Sequence, residues 1–251
     1  MATGRGNLAG EVNALREYWA LRNDPIYRGQ GVPRGDGKAV LVLPGMFGND
    51  FYLQPLRSWL GRIGYKPTVS TIAINAGCSR RLIERVEVGL ARQLKSTDDP
   101  VAIIGHSRGG MLGKAIASRL GDRCAHFITL GSPVGRILRF GKEGMIALAS
   151  ANSDANAQVA APLVVEAGRR AMKFFDPDCD SPFCDCAYVR DLLAPLPAGT
   201  KTFAIYSSED QVVPPDACTM DGATNIKVTG THSGLVVNKD VYPHIATALA
   251  S

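Results

Sequence analysis

The sequence predicts an α/β fold: a mostly parallel central sheet with helices on both faces, interrupted late in the chain by a helical cap. Three observations predict it. Continuous apolar runs occur at Ala39–Leu43, Pro100–Ile104 and His126–Leu130, as in strands buried on both faces. Stretches with helical spacing separate them, so strand and helix alternate. Between Pro133 and Pro195 the alternation stops, over a span too long for an ordinary connection.

The elements follow in order. Residues 1–37 read as a lead-in, with a short helical pattern at Val12, Leu15, Trp19 and Leu21 and then a Gly/Pro/Arg linker. The strand Ala39–Leu43 ends at Pro44-Gly45, and a helix is expected around Leu53 to Leu60. A β-like stretch near Pro67 to Ile74 precedes a charged amphipathic helix from about Arg80 to Lys95. Pro100–Ile104 runs directly into Gly105-His106-Ser107-Arg108-Gly109-Gly110, after which Met111, Leu112, Ala115, Ile116 and Ala117 have helical spacing. His126–Leu130 and Thr202–Tyr206 read as strands, and a short strand at Ile226–Val228 precedes His232 and a C-terminal helix. The core is expected at 38–132 and 196–251. The segment 133–195 is expected to be a cap, helical around Arg136–Ser150 and Ala155–Phe175, with a partly disordered loop as the alternative.

Composition narrows the function classes. A chain of 251 residues suffices for one sizeable core. Its 45% apolar and 20% charged residues are an ordinary globular balance. The net charge of +5 is scattered along the chain, without the gathered basic run expected of a nucleic-acid binder. No apolar run is long enough to span a bilayer. The polar, glycine-rich stretch from Met1 to Gly10 does not read as a signal peptide. The cytoplasm is therefore the default location, with secretion and oligomerisation left open. Of six cysteines, Cys124 sits in an apolar stretch and reads as a small buried hydrophobe. Cys179, Cys184 and Cys186 could form a local disulfide, stay free or hold zinc. With no histidine near, they are assigned to structure, and no metal or other cofactor is expected.

The chemistry is expected at Gly105-His106-Ser107-Arg108-Gly109, set between an apolar strand and a helical pattern. A serine at such a bend is held in a strained backbone, and the flanking glycines remove Cβ atoms that would collide with strand and helix. The alternative is a plain Gly/Ser turn capping a helix. A serine hydroxyl needs a base, and the chain has only His106, His126, His232 and His244. His106 adjoins the serine on a turn where neighbouring side chains diverge, His126 opens a strand, and His244 lies in the last helical pattern. His232, in the loop after the final strand, is the expected base. The imidazole needs a carboxylate, for which Asp210 is expected ahead of its neighbours Glu209 and Asp216. An oxyanion needs two N–H donors, expected from the backbone of Arg108 and from Met46, with Phe47 next. Phe47 and His106, together with Leu163 and Phe174 of the cap, are expected to touch substrate.

Together these residues resemble the α/β-hydrolase superfamily, in particular its bacterial lipase and esterase branch. Leu43-Pro44-Gly45-Met46-Phe47-Gly48-Asn49-Asp50 is similar to that branch's oxyanion loop, and Ile104 to Gly110 to its nucleophile elbow. Ile205 to Val213 is similar to its acid loop and His232 to Asn238 to its histidine segment. The likeness runs from about Lys38 to the end and leaves the cap unmatched; Pro44 stands where lipases often have His. It implies hydrolysis of a small-molecule or lipid ester through an acyl-enzyme, without a cofactor. An acyltransferase, thioesterase or polyester hydrolase would use the same triad, and a non-catalytic binding protein on the same fold is the rival from another class.

Overall fold

In the computed structural model the six strands form one all-parallel sheet. The structure describes residues 5–94, 98–149, 170, 173–179 and 186–251, with the side chains of 5–13 and 145–149 outside the description. The strands are β1 (Ala39–Leu43), β2 (Lys66–Thr68), β3 (Val101–His106), β4 (Cys124–Leu130), β5 (Lys201–Ser207) and β6 (Thr224–Val228). Their spatial order is β2-β1-β3-β4-β5-β6. The helices are α1 (Arg5–Asn23), α2 (Gln54–Arg62), α3 (Ser79–Gln93), α4 (Arg108–Leu120), α5 (Val134–Ala149), α6 (Ala187–Leu193), α7 (Pro215–Cys218) and α8 (Tyr242–Ala250).

Every residue of β1 and β3 is buried, and successive side chains divide between two cores. Val40, Val42, Ala102 and Ile104 face α2 and α8, with Leu56, Trp59, Leu60, Ile245 and Leu249. Ala39, Leu41, Leu43, Val101 and Ile103 face α3 and α4, with Leu82, Ile83, Val86, Leu112 and Ile116. Both faces of the sheet are therefore covered, as the apolar runs predict.

The strand order positions the site. From β1 the chain moves outward to β2 and then crosses to β3 on the other side of β1. The connections leaving the C-terminal ends of β1 and β3 consequently diverge. That reversal of strand order is the place where open α/β sheets bind ligands.

Two regions differ from expectation in how they pack. The lead-in is fastened to the core. Leu21 and Tyr27 are buried, Trp59 Nε1 donates to the Ile26 carbonyl at 2.8 Å, and the Trp59 and Tyr242 rings lie 4.5 Å apart. The segment expected as a cap is anchored at both ends, because Val134 and Ile137 of α5 and Tyr188, Val189 and Leu192 of α6 are buried in the sheet-facing core. Those five residues serve burial, which periodicity alone does not separate from a pocket lining, whereas Leu138, Phe140, Phe174 and Phe175 are exposed. The β-like stretch near Pro67 to Ile74 forms ladder only over Lys66–Thr68.

Among the described residues no helix is long and apolar enough to cross a membrane. Cys124 is 1% exposed and its thiol is pushed up to about 12 by burial. Cys179 is buried and Cys186 half-buried, while Cys184 lies outside the described residues.

Candidate active site

Ser107 stands at the bend between β3 and α4 with φ 52° and ψ −124°, a conformation costing a non-glycine residue about 1–3 kcal/mol. Close packing holds it there. Ser107 N donates to the Leu130 carbonyl at 2.9 Å, and its own carbonyl accepts from Gly110 N at 2.9 Å and from Ser132 Oγ at 2.7 Å. A Cβ on Gly105 would lie 2.6 Å from the Gly109 carbonyl carbon, and one on Gly109 would lie 2.6 Å from the Pro44 carbonyl oxygen. The glycines on either side of the serine thus allow strand, helix and the loop after β1 to touch.

Asp210 and His232 meet across the loops after β5 and β6. His232 Nδ1 donates to Asp210 Oδ2 at 2.6 Å, with the carboxylate 1% and the imidazole 10% exposed. The other oxygen, Oδ1, accepts from Val212 N at 2.8 Å and Val213 N at 2.9 Å, so the Val-Val turn fixes the acid. Geometry also separates the rivals. Glu209 accepts from Gly230 N at 3.0 Å and props the histidine loop, while Asp216 pairs with Arg136 at 3.0 Å in an exposed position.

Gly131 is where the three expected residues converge. It follows Leu130, the partner of Ser107 N, and has φ 54°. A Cβ there would lie 3.1 Å from Asp210 Oδ2 and 3.3 Å from His232 Nδ1. Among the described residues no hydrogen bond joins Ser107 Oγ to His232 Nε2, a contact that commonly tightens only with substrate bound.

The loop after β1 closes the other side. Gly45 lies against the bend, since a Cβ there would be 3.2 Å from Ser107 Cβ. Phe47 has φ 61°, is 46% exposed, and donates its N–H to the Asn75 carbonyl at 3.0 Å. That bond removes Phe47 as an oxyanion donor. Among the described residues the Met46 N–H has no partner. Asn75, wholly buried, holds this loop three ways: it accepts from Phe47 N, donates its own N–H to the Gly48 carbonyl at 2.9 Å, and donates Nδ2 to the Pro44 carbonyl at 2.7 Å. Asn75 is held in turn by the Arg108 guanidinium, which donates to Asn75 O and Oδ1, Gly77 O and Ser79 Oγ at 2.7–2.9 Å.

The other expected contacts lie as follows. His106 is only 5% exposed; its Nε2 donates to the His232 carbonyl at 2.9 Å, and its ring lies 4.9 Å from that of His232. It supports the histidine loop from beneath. Burial first, and then the neighbouring His232, push its pKa down to about 3, so the ring is neutral. Phe174 is 80% exposed and packs edge-on against Phe175 with ring centres 5.3 Å apart. Leu163 lies outside the described residues. His126 is buried where β4 begins, at the opposite end of the sheet from Ser107. Among the described residues no cluster of His, Cys, Asp and Glu is arranged to hold a metal ion.

Four contributors escaped the sequence reading: Gly131, Asn75, Tyr52 and Glu17. Tyr52 donates its hydroxyl to the Ser233 carbonyl at 2.6 Å, and Glu17 accepts from Thr231 N and Oγ1 at 3.0 Å each. Gly131 directly follows an apolar strand, a signal that could have marked a turn. The others depend on partners remote in sequence and carry no local signal.

No family model and no curated protein matches the sequence. Solved structures do match. One is a chain of the metagenome-derived lipolytic enzymes LipS and LipT, with TM-score 0.53, 18% identity, and 86% of this chain and 94% of that one covered. A metagenomic carboxyl esterase is similar at TM-score 0.52 and 15% identity, over 87% of this chain and 75% of that one. Polyneuridine aldehyde esterase is similar at TM-score 0.52 and 12% identity, over 86% of this chain and all of that one. At such identities the likeness is one of fold.

Proposed function

Taking the α/β-hydrolase fold of this chain as the premise, we propose that it is a serine hydrolase cleaving carboxylic esters through an acyl-enzyme. The observation that carries this reading is the buried 2.6 Å contact from His232 Nδ1 to Asp210 Oδ2, beside a serine held at positive φ. In this reading Ser107 Oγ attacks the ester carbonyl while His232 Nε2 takes its proton, and Asp210 stabilises the imidazolium. The proton then passes to the departing alcohol. Water activated by the same imidazole releases the acid and regenerates Ser107. The developing oxyanion is received by the N–H groups of Met46 and Arg108. The substrate is a small-molecule or lipid ester, and the segment 133–195 acts as a cap over the candidate site, with Phe47 at its mouth.

The decisive experiment treats the protein with an alkyl fluorophosphonate and locates the adduct by mass spectrometry, beside a panel of p-nitrophenyl esters. Labelling at Ser107, turnover of at least one chain length, and loss of both in Ser107→Ala are expected. A protein that neither labels nor turns over any ester is instead a binding protein built on a hydrolase scaffold.

A further inference from the structure

The loop that carries His232 is fastened at nearly every peptide. Ser207 Oγ donates to the Gly230 carbonyl at 2.6 Å, His106 holds the His232 carbonyl, Tyr52 holds the Ser233 carbonyl, and Asn238 Nδ2 holds the Thr229 carbonyl at 2.7 Å. These clamps come from the α/β core. One does not. Glu17, on the N-terminal helix α1 and 214 residues away in sequence, receives Thr231 N on one carboxylate oxygen and Thr231 Oγ1 on the other, both at 3.0 Å. The same Thr231 hydroxyl accepts from Gly234 N at 3.1 Å, so the carboxylate orients a hydroxyl that ties both sides of His232 together.

The loop is shaped around this carboxylate. A Cβ on Gly230 would lie 2.6 Å from Glu17 Oε1, and one on Gly234 would overlap Oε2. The Gly-Thr-His-Ser-Gly segment is thus a cradle for a carboxylate, and a charged acceptor makes its hydrogen bonds stronger than neutral ones. Glu17 also adds, after burial, to the upward shift of the Tyr52 phenol, keeping that hydroxyl a donor to the Ser233 carbonyl.

We propose that Glu17 is a positioning residue for His232: the N-terminal helix supplies in cis a carboxylate that the histidine loop needs to hold its imidazole toward Ser107. The proposal rests on reading Ser107, His232 and Asp210 as a triad. Geometry lost by about an ångström costs on the order of 100-fold in rate.

The test uses the full chain, with Glu17→Ala to empty the cradle and Glu17→Gln to keep its volume without charge. Hydrogen exchange over residues 229–238 should speed up by about tenfold or more in Glu17→Ala. Its kcat on a p-nitrophenyl ester should fall about 10- to 100-fold with KM little changed, and Glu17→Gln should lie between it and wild type. Formate, small enough to enter the vacated cradle, should restore both exchange protection and kcat. Unchanged exchange and kcat in both variants would overturn the proposal. So would a loss of kcat that follows a falling melting temperature and ignores formate. A wild-type protein inactive on esters and unlabelled at Ser107 would remove the triad and this proposal together, whereas an active wild type with an unresponsive Glu17→Ala removes this proposal alone.

Discussion

A buried histidine without charge is a stability element as well as a support. His106 sits beneath His232 with Nε2 bonded to a carbonyl and Nδ1 buried without a partner among the described residues. Its pKa falls from 6.5 to about 3 because burial disfavours the imidazolium. Between those values the unfolded chain binds a proton that the folded chain refuses. Unfolding therefore becomes easier as pH drops through this window, by up to about 1.4 kcal/mol per pH unit. Above about pH 6.5 both states are neutral and the contribution no longer changes with pH. In His106→Gln an amide can still donate to the His232 carbonyl but cannot take up the proton. Urea midpoints measured at pH 7 and pH 5 should fall less in the variant than in wild type, because carboxylates shared by both proteins cancel in the comparison. Equal falls would show that His106 is protonated in the folded protein.

At the scale of elements, the candidate site is bounded by two loops that neither strand holds alone. The loop after β1 is strained at Phe47 and has few contacts of its own, so the conformation that leaves the Met46 N–H available depends on Asn75 and, behind it, Arg108. The brace extends into the segment after α5. Asp176, 7% exposed, accepts from Cys78 N at 2.7 Å and pairs with Arg81, holding the stretch that includes the Gly77 carbonyl bound by Arg108. Asn75→Ala removes the Nδ2 bond to Pro44 and one acceptor of Arg108 at once. It should lower kcat by about 100-fold, as loss of an oxyanion donor does, while KM stays within a few-fold. Steady-state kinetics on a p-nitrophenyl ester reads this directly, and an unchanged kcat would mean that the loop holds itself. Buried strands were legible in the sequence because burial on both faces writes a continuous apolar run; the bend at Ser107 was legible because it follows such a run, and the loops of Asp210 and His232 because each follows a less apolar strand pattern. Asn75 was not, since a lone polar residue in a loop looks the same whether it braces a neighbour or meets solvent. The same holds for Phe174: an aromatic in a helical pattern does not say which way it faces.

At the scale of the whole molecule, the ends of the chain close over one face of the sheet. Tyr27 of the lead-in, Trp59 of α2 and Tyr242 of α8 form one aromatic group, with Tyr27 and Tyr242 ring centres 6.5 Å apart and the Arg62 guanidinium 4.4 Å above Tyr27. The lead-in therefore reads as separate in sequence yet behaves as core, because its few apolar residues find partners only when the C-terminal helix arrives. Tyr242 is completely buried, and its hydroxyl donates to the Val236 carbonyl at 3.0 Å, four residues beyond His232. The group thus joins three distant segments to the far side of the histidine loop. Tyr242→Ala should cost about 3–5 kcal/mol, the range for deleting a large buried ring. In a protein of this size that lowers the melting temperature by on the order of 10 °C. Tyr242→Phe keeps the ring and loses one hydrogen bond, for about 1 kcal/mol. In a Trp19→Phe background, Trp59 reports the same group by fluorescence, so its unfolding transition should coincide with the loss of secondary structure by circular dichroism with and without the Tyr242 substitutions. A fluorescence transition well below the circular dichroism transition in the Trp19→Phe protein would mean that the lead-in and α8 separate from the sheet before it unfolds, and that the chain ends are a clasp rather than part of the core.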